Sequence, residues 1–156
     1  MQLDLRELAF ESEFDAAVNL FTAFGYFETD AEHADALVRV ARALRPDGGF
    51  LIDTINTAWV LRHFAERGWV DGLEGSYVLV DRTYDVLSGR IAETWRFLRA
   101  DGTRTENVSS IRAYTAAELA SMLAEAELPV ESAWGDFGGD ELTMDSRRAI
   151  LLGRKP

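Results

Sequence analysis

Cysteine is missing from the 156-residue chain, and histidine occurs only twice, at His33 and His63. Without thiols there are no disulfides, thiolate metal sites or cysteine nucleophiles, and the composition fits a reducing compartment, with the cytoplasm as the expected location. The two histidines lie far apart with no H-E-x-x-H or carboxylate triad around them, so no metal site is expected. A G-x-S-x-G nucleophile elbow is also lacking. No apolar run approaches the roughly 20 residues of a membrane span, and "MQLDLRELAF" has charges where a signal peptide needs an apolar stretch. Basic charge is scarce, with 16 Lys and Arg against 27 Asp and Glu and a net charge of -11. A nucleic-acid backbone or an anionic membrane would be repelled, so neither is an expected partner. The acidic surface reads as a solvated face. Internal repeats and low-complexity linkers are lacking too.

What is present suffices for one core: 47% of the residues are hydrophobic, which suggests a single domain over 1–156. "FDAAVNLF" carries apolar residues on both faces, as expected of a buried strand in a parallel sheet. Thr29 and Glu32 form a capping-box pattern, followed at helical spacing by Ala34, Leu37, Val38, Ala41 and Leu44, and "RPDGG" stops that helix. "FLIDTIN" is a second strand that turns polar at its carboxyl end with Asp53, Thr54 and Asn56. Strand, helix and strand make a crossover unit with polar groups at the strand ends, where open α/β sheets bind ligands.

A helix is expected over Thr57 to Arg67. The segment 77–114 then alternates apolar and polar residues, with turn dipeptides Ser88-Gly89 and Asp101-Gly102, and reads as a three-stranded antiparallel insert. Thr115 and Glu118 form a second capping box, opening an amphipathic helix with Leu119, Met122, Leu123 and Ala126 on one face. "ELPVESAWGDF" and "RRAILLGRKP" read as a closing antiparallel pair.

In order and spacing, "LDLRELAF" before "FDAAVNLFTAFGYF", "LVRVARALRPDGGFLIDTIN", and "SIRAYTAAELASMLAEAEL" before the last strands resemble the class I S-adenosylmethionine-dependent methyltransferases. The likeness is to the C-terminal two-thirds of that family and covers nearly the whole chain. It implies an α/β fold with a partial Rossmann-like sheet, core segments at 1–70 and 115–156, and the insert as part of a substrate lid. It also implies S-adenosyl-L-methionine as cofactor and methyl transfer to a small-molecule acceptor. The family's G-x-G-x-G loop and the acidic residue ending its second strand have no counterpart here, and Met1 to Leu3 would be the stub of its third strand. The chain therefore resembles a methyltransferase that starts in its middle. The competing expectation is a non-catalytic remnant or interaction domain that keeps the fold.

By this resemblance Asp4 would accept the adenine amine and Leu5 would face the ring, while Asn19, Leu20 and Phe21 would line the cofactor. Phe24, Tyr26 and Phe27 would wall the transfer site, though at least one of Phe21 and Phe24 is expected in the core. Methyl transfer is an in-line displacement in which alignment and desolvation do most of the work, with a base needed only for a protonated nucleophile. Tyr26, Asn56 and His63 are the catalytic candidates, with Tyr26 and Asn56 ahead of His63, and Phe24, Trp59, Tyr114 and Asp136 are candidate substrate contacts. Tyr77, Tyr84, Trp95 and Phe97 of the insert suit an apolar or planar acceptor, and their alternation serves sheet packing equally well. The strand "FDAAVNLF" would be left with one open, apolar edge, for which a homodimer is the expected solution.

Overall fold

The computed structural model of the protein describes residues 2–72 and 75–156. The chain divides into two compact units, one formed by Met1–Arg62 with Tyr114–Pro156 and the other by His63–Ala113.

The first unit begins with a single 3-10 turn, Leu5–Glu7, capped by the Asp4 side chain. Of the expected strand stub at Met1 to Leu3, Met1 lies outside the described residues, and Gln2 and Leu3 belong to no strand. Strand β1 (Phe14–Asn19), helix α1 (Asp30–Ala43) and strand β2 (Leu44–Ile55) follow as a parallel crossover unit. The short helix α2 (Thr57–Arg62) ends five residues before the expected Arg67, which instead opens a strand. The second unit supplies the next four strands. Helix α3 (Ala116–Glu125), β7 (Val130–Trp134) and β8 (Arg148–Arg154) complete the first unit. Its sheet has the order β1-β2-β8-β7, with β8 antiparallel to both β2 and β7 as the closing pair requires.

Helices α1 and α3 start where the sequence puts them. Thr29 accepts the Glu32 N–H at 3.2 Å while Glu32 accepts the Thr29 N–H at 3.0 Å, and Thr115 and Glu118 repeat the pattern. Each reciprocal pair satisfies two N–H groups that the first turn would otherwise leave unbonded. Since Thr29 is the cap, Thr29→Ala should cost about 1 kcal/mol, at most about 2. A urea midpoint that does not move would contradict this.

The core of this unit joins Leu37, Val40 and Leu44 with Phe50 and Ile52 of β2, Leu119 and Leu123 of α3, and Leu151 of β8. One expectation is corrected here: β1 is not a buried strand. Phe14, Ala16 and Val18 are exposed, and β1 is the edge of its sheet. Among the described residues nothing pairs with its outer side, which is why apolar side chains on both faces did not translate into burial.

The second unit is an antiparallel sheet in the order β3 (Arg67–Asp71), β4 (Tyr77–Asp85), β5 (Arg90–Leu98) and β6 (Arg104–Arg112). It therefore has one strand more than the expected three. Gly89 and Gly102 take φ +62° and +84°, the left-handed geometry that both turns need. Val78 pairs with Phe97, Val80 with Trp95 and Tyr84 with Ile91, so Tyr84, Trp95 and Phe97 share one face and Tyr77 lies on the other.

Candidate functional site

The two parallel strands β1 and β2 end side by side, and the chain leaving β1 turns sharply. Phe21 and Thr22 both adopt left-handed backbone, φ +58° and +60°, although neither is glycine. Such positions cost of order 1–3 kcal/mol each and persist only where the surroundings hold them. Here Asp53 of β2 holds them. Its Oδ2 accepts the Phe21 N–H at 2.7 Å, and its backbone carbonyl accepts the Thr22 N–H at 3.0 Å. Asp53 is fully buried and receives the two-pronged guanidinium of Arg148, with Nη2 at 2.7 Å from Oδ2 and Nε on Oδ1. The fork is the geometry in which an arginine best matches a carboxylate. It ties the end of β2, the start of β8 and the turn after β1 into one unit.

Asn19 is the last residue of β1, and its Oδ1 is buried with no hydrogen-bond partner. It borders an apolar cavity of about 220 Å³ that Leu5, Leu8, Phe24 and Leu37 also line. The structure thus brings Leu5 and Asn19 of the expected cofactor group together, with Leu20 and Phe21 next in the chain. Asp4 is exposed and bound by Arg6, whose Nη2 lies 2.8 Å from Oδ2. Hydrogen bonds from the Arg6 side chain, then from its backbone N–H, hold the Asp4 carboxyl down to about 2.

The expected catalytic residues stand in different local settings. Tyr26 is 55% exposed on the loop after β1. Asn56 is buried and its amide is already engaged: Nδ2 donates to the carbonyls of Thr143 and Ser146 at 2.8 Å, and Oδ1 accepts the Ala58 N–H at 3.2 Å. Asn56 thus fastens the 135–147 loop and caps α2. His63 is exposed and belongs to the second unit.

Of the expected substrate contacts, Phe24 and Tyr114 are buried core residues. Trp59 lies under the Arg147 guanidinium, 5.2 Å from its ring centre. Asp136 uses Oδ1 to accept the N–H groups of Gly138 and Asp140 at 2.8 and 3.1 Å, shaping its own loop. Phe21 is 77% exposed, so of the two phenylalanines it is Phe24 that belongs to the core.

Two side-chain groups escaped the sequence reading. One is the Asp53–Arg148 fork. The signal was there, since a carboxylate inside "FLIDTI" and an arginine heading "RAILL" each demand a partner once buried. The other is His33, buried beside Tyr114, whose hydroxyl reaches the exposed Asp30, three residues that no motif links.

No family model matches the sequence, and no curated protein matches it significantly. Solved structures do match. The CcbJ methyltransferase from Streptomyces caelestis superposes with a TM-score of 0.88 at 19% identity, over 97% of this chain and 61% of that one. An S-adenosylmethionine-dependent methyltransferase from Clostridium acetobutylicum gives 0.85 at 15% identity, over 98% of this chain and 63% of that one. An amino pentose methyltransferase from Micromonospora echinaspora involved in calicheamicin biosynthesis, solved with S-adenosylmethionine bound, gives 0.69 at 23% identity, over 98% and 63%. The protein has the α/β, Rossmann-like fold of the S-adenosylmethionine-dependent methyltransferases. It spans about three-fifths of the length of these solved relatives in fold.

Proposed function

We propose that this chain serves S-adenosylmethionine-dependent methyl transfer to a small-molecule acceptor, at the carboxyl ends of β1 and β2. The observation that carries this reading is the buried, unpartnered Oδ1 of Asn19, at the end of a strand in a methyltransferase fold. An amide oxygen in that state costs about 1–3 kcal/mol, which a ligand bearing hydrogen-bond donors removes. S-adenosyl-L-methionine has such donors in its hydroxyls, adenine amine and ammonium group. Asp4, Leu5, Asn19, Leu20 and Phe21 would hold it. Asp4 keeps acceptor capacity beyond its bonds to Arg6, since a carboxylate offers about four lone-pair sites. When bound, the cofactor supplies a methyl group activated on a sulfonium. The protein's own part is to orient it through the braced Phe21–Thr22 turn, to exclude water with Phe24 and its neighbours, and to meet the acceptor with Tyr26.

The sequence contains no G-x-G-x-G segment. Losing several hydrogen bonds of about 1–3 kcal/mol each weakens binding by orders of magnitude, so a Kd no tighter than about 100 µM is expected for the chain alone. Titration with S-adenosylhomocysteine, followed by amide NMR, should move Leu5, Asn19, Leu20 and Phe21, and Asn19→Leu should abolish those shifts. Silence at all four residues overturns the reading, and micromolar binding by calorimetry overturns the expected weakness.

The lack of a glycine-rich loop favours the second reading, an interaction domain that keeps the fold without the chemistry. A second copy of the chain is the partner assigned to the open edge of β1 under either reading.

A further inference from the structure

His33 lies in the first turn of α1 and is fully buried. Its Nε2 is 3.2 Å from the backbone N–H of Phe27, which can only donate. Nε2 therefore offers its lone pair, and the ring proton of the neutral imidazole sits on Nδ1. Nδ1 is 3.0 Å from the Tyr114 hydroxyl, which accepts that proton and donates its own to Asp30 Oδ1 at 2.6 Å. One directed chain of hydrogen bonds thus runs from the Phe27 N–H through His33 and Tyr114 to Asp30. The rings of Phe24, Phe27 and Tyr114 pack around the imidazole with centres 5.0, 5.3 and 5.4 Å away.

Phe27 closes the loop that begins at Leu20 and carries Phe21, Phe24 and Tyr26. Its front end is held by Asp53 and its back end by His33. We propose that His33 is a positioning residue, clasping the Tyr26-bearing loop through the Phe27 N–H, and that a proton opens the clasp. Protonation turns Nε2 into a donor facing another donor, so the imidazolium cannot keep the bond to Phe27. Asp30, Glu32 and Arg6 are charged groups placed around this chain of bonds. Asp30 acts on His33 through the Tyr114 hydroxyl. Glu32 is engaged with the Thr29 cap and Arg6, and Arg6 lies over Phe27 with its guanidinium 5.1 Å from the ring centre. The bearing of the clasp on methyl transfer rests on the function proposed above, but the clasp itself does not.

Amide hydrogen exchange on the free chain tests it without any cofactor. The protection factor of the Phe27 amide should fall at least about tenfold between about pH 7.5 and about pH 5, with the amides of the β2–β8 ladder unchanged. His33→Leu should lose that protection at every pH. His33→Gln, whose side-chain carbonyl can accept the same N–H, should restore protection and remove its pH dependence. A wild-type protection factor at Phe27 that stays flat with pH overturns the proposal, whether or not either variant folds. So does a pH dependence that persists in His33→Gln. If exchange behaves as expected while the S-adenosylhomocysteine titration is silent, the clasp stands and only its assignment to a methyl-transfer site falls.

Discussion

Replacing Arg148 with leucine is expected to destabilise the protein by about 3 to 5 kcal/mol, the cost of leaving a buried charge without its partner. Asp53 is fully buried, while the Arg148 side chain is 26% exposed at the end of the sheet. Removing the guanidinium takes away both prongs of the fork and leaves the carboxylate with the Phe21 N–H. The damage should spread to the turn after β1, because Phe21 and Thr22 keep their left-handed backbone only while Asp53 is held in place. Asp53→Leu combined with Arg148→Leu should recover part of the loss, since exchanging a whole buried pair for apolar groups is far milder than breaking it. The recovery should be incomplete because the Phe21 N–H then has no acceptor. Urea unfolding of the two variants decides it. A loss under about 1 kcal/mol for Arg148→Leu would mean that water at the sheet end replaces the guanidinium.

The elements were legible where local signals act alone. Thr29 with Glu32 and Thr115 with Glu118 announce their helices because a cap is a matter of three or four consecutive residues. The two turn glycines announce their hairpins for the same reason. Burial was less legible. "FDAAVNLF" has the composition of a covered strand, but coverage depends on what lies beside it, and at β1 the outer side is open among the described residues. β3 escaped because "RGWVD" is five residues long and follows a helical pattern that was read through to Arg67. Polar residues at the strand ends drew attention to the carboxyl end of β2, where Asn56 fastens a loop. His63 drew attention over His33, although His33 is the buried one. Partnerships such as Asp53 with Arg148, or His33 with Tyr114, span most of the chain and have no sequence spacing to betray them.

The open edge leads to the other large effect. The chain should sediment as a homodimer at micromolar concentration, and Val18→Lys should convert it to a monomer. β1 presents backbone donors and acceptors along one side, with exposed Phe14 and Val18 and neither proline nor lysine to discourage pairing. The net charge of -11 would oppose association if it were spread evenly, but the edge is locally neutralised. Asp15 is paired with Arg45 at 2.7 Å, and Glu11 with Arg42. These exposed pairs add little stability, yet they remove the like-charge repulsion that two approaching edges would otherwise meet. A two-fold axis would set β1 antiparallel to its copy and join two four-stranded sheets into one, an isologous contact that closes on itself. Val18 is 64% exposed, so a lysine there should leave the monomer's stability within about 0.5 kcal/mol while placing a pair of charges at the junction. Ala17→Pro would also block pairing if the Ala17 N–H faces outward, but it threatens the β1–β2 ladder if it faces inward, so the lysine variant is the cleaner probe. A soluble wild-type monomer at those concentrations would overturn the assignment, and so would a Val18→Lys protein that still sediments as a dimer, which would place the contact on another surface.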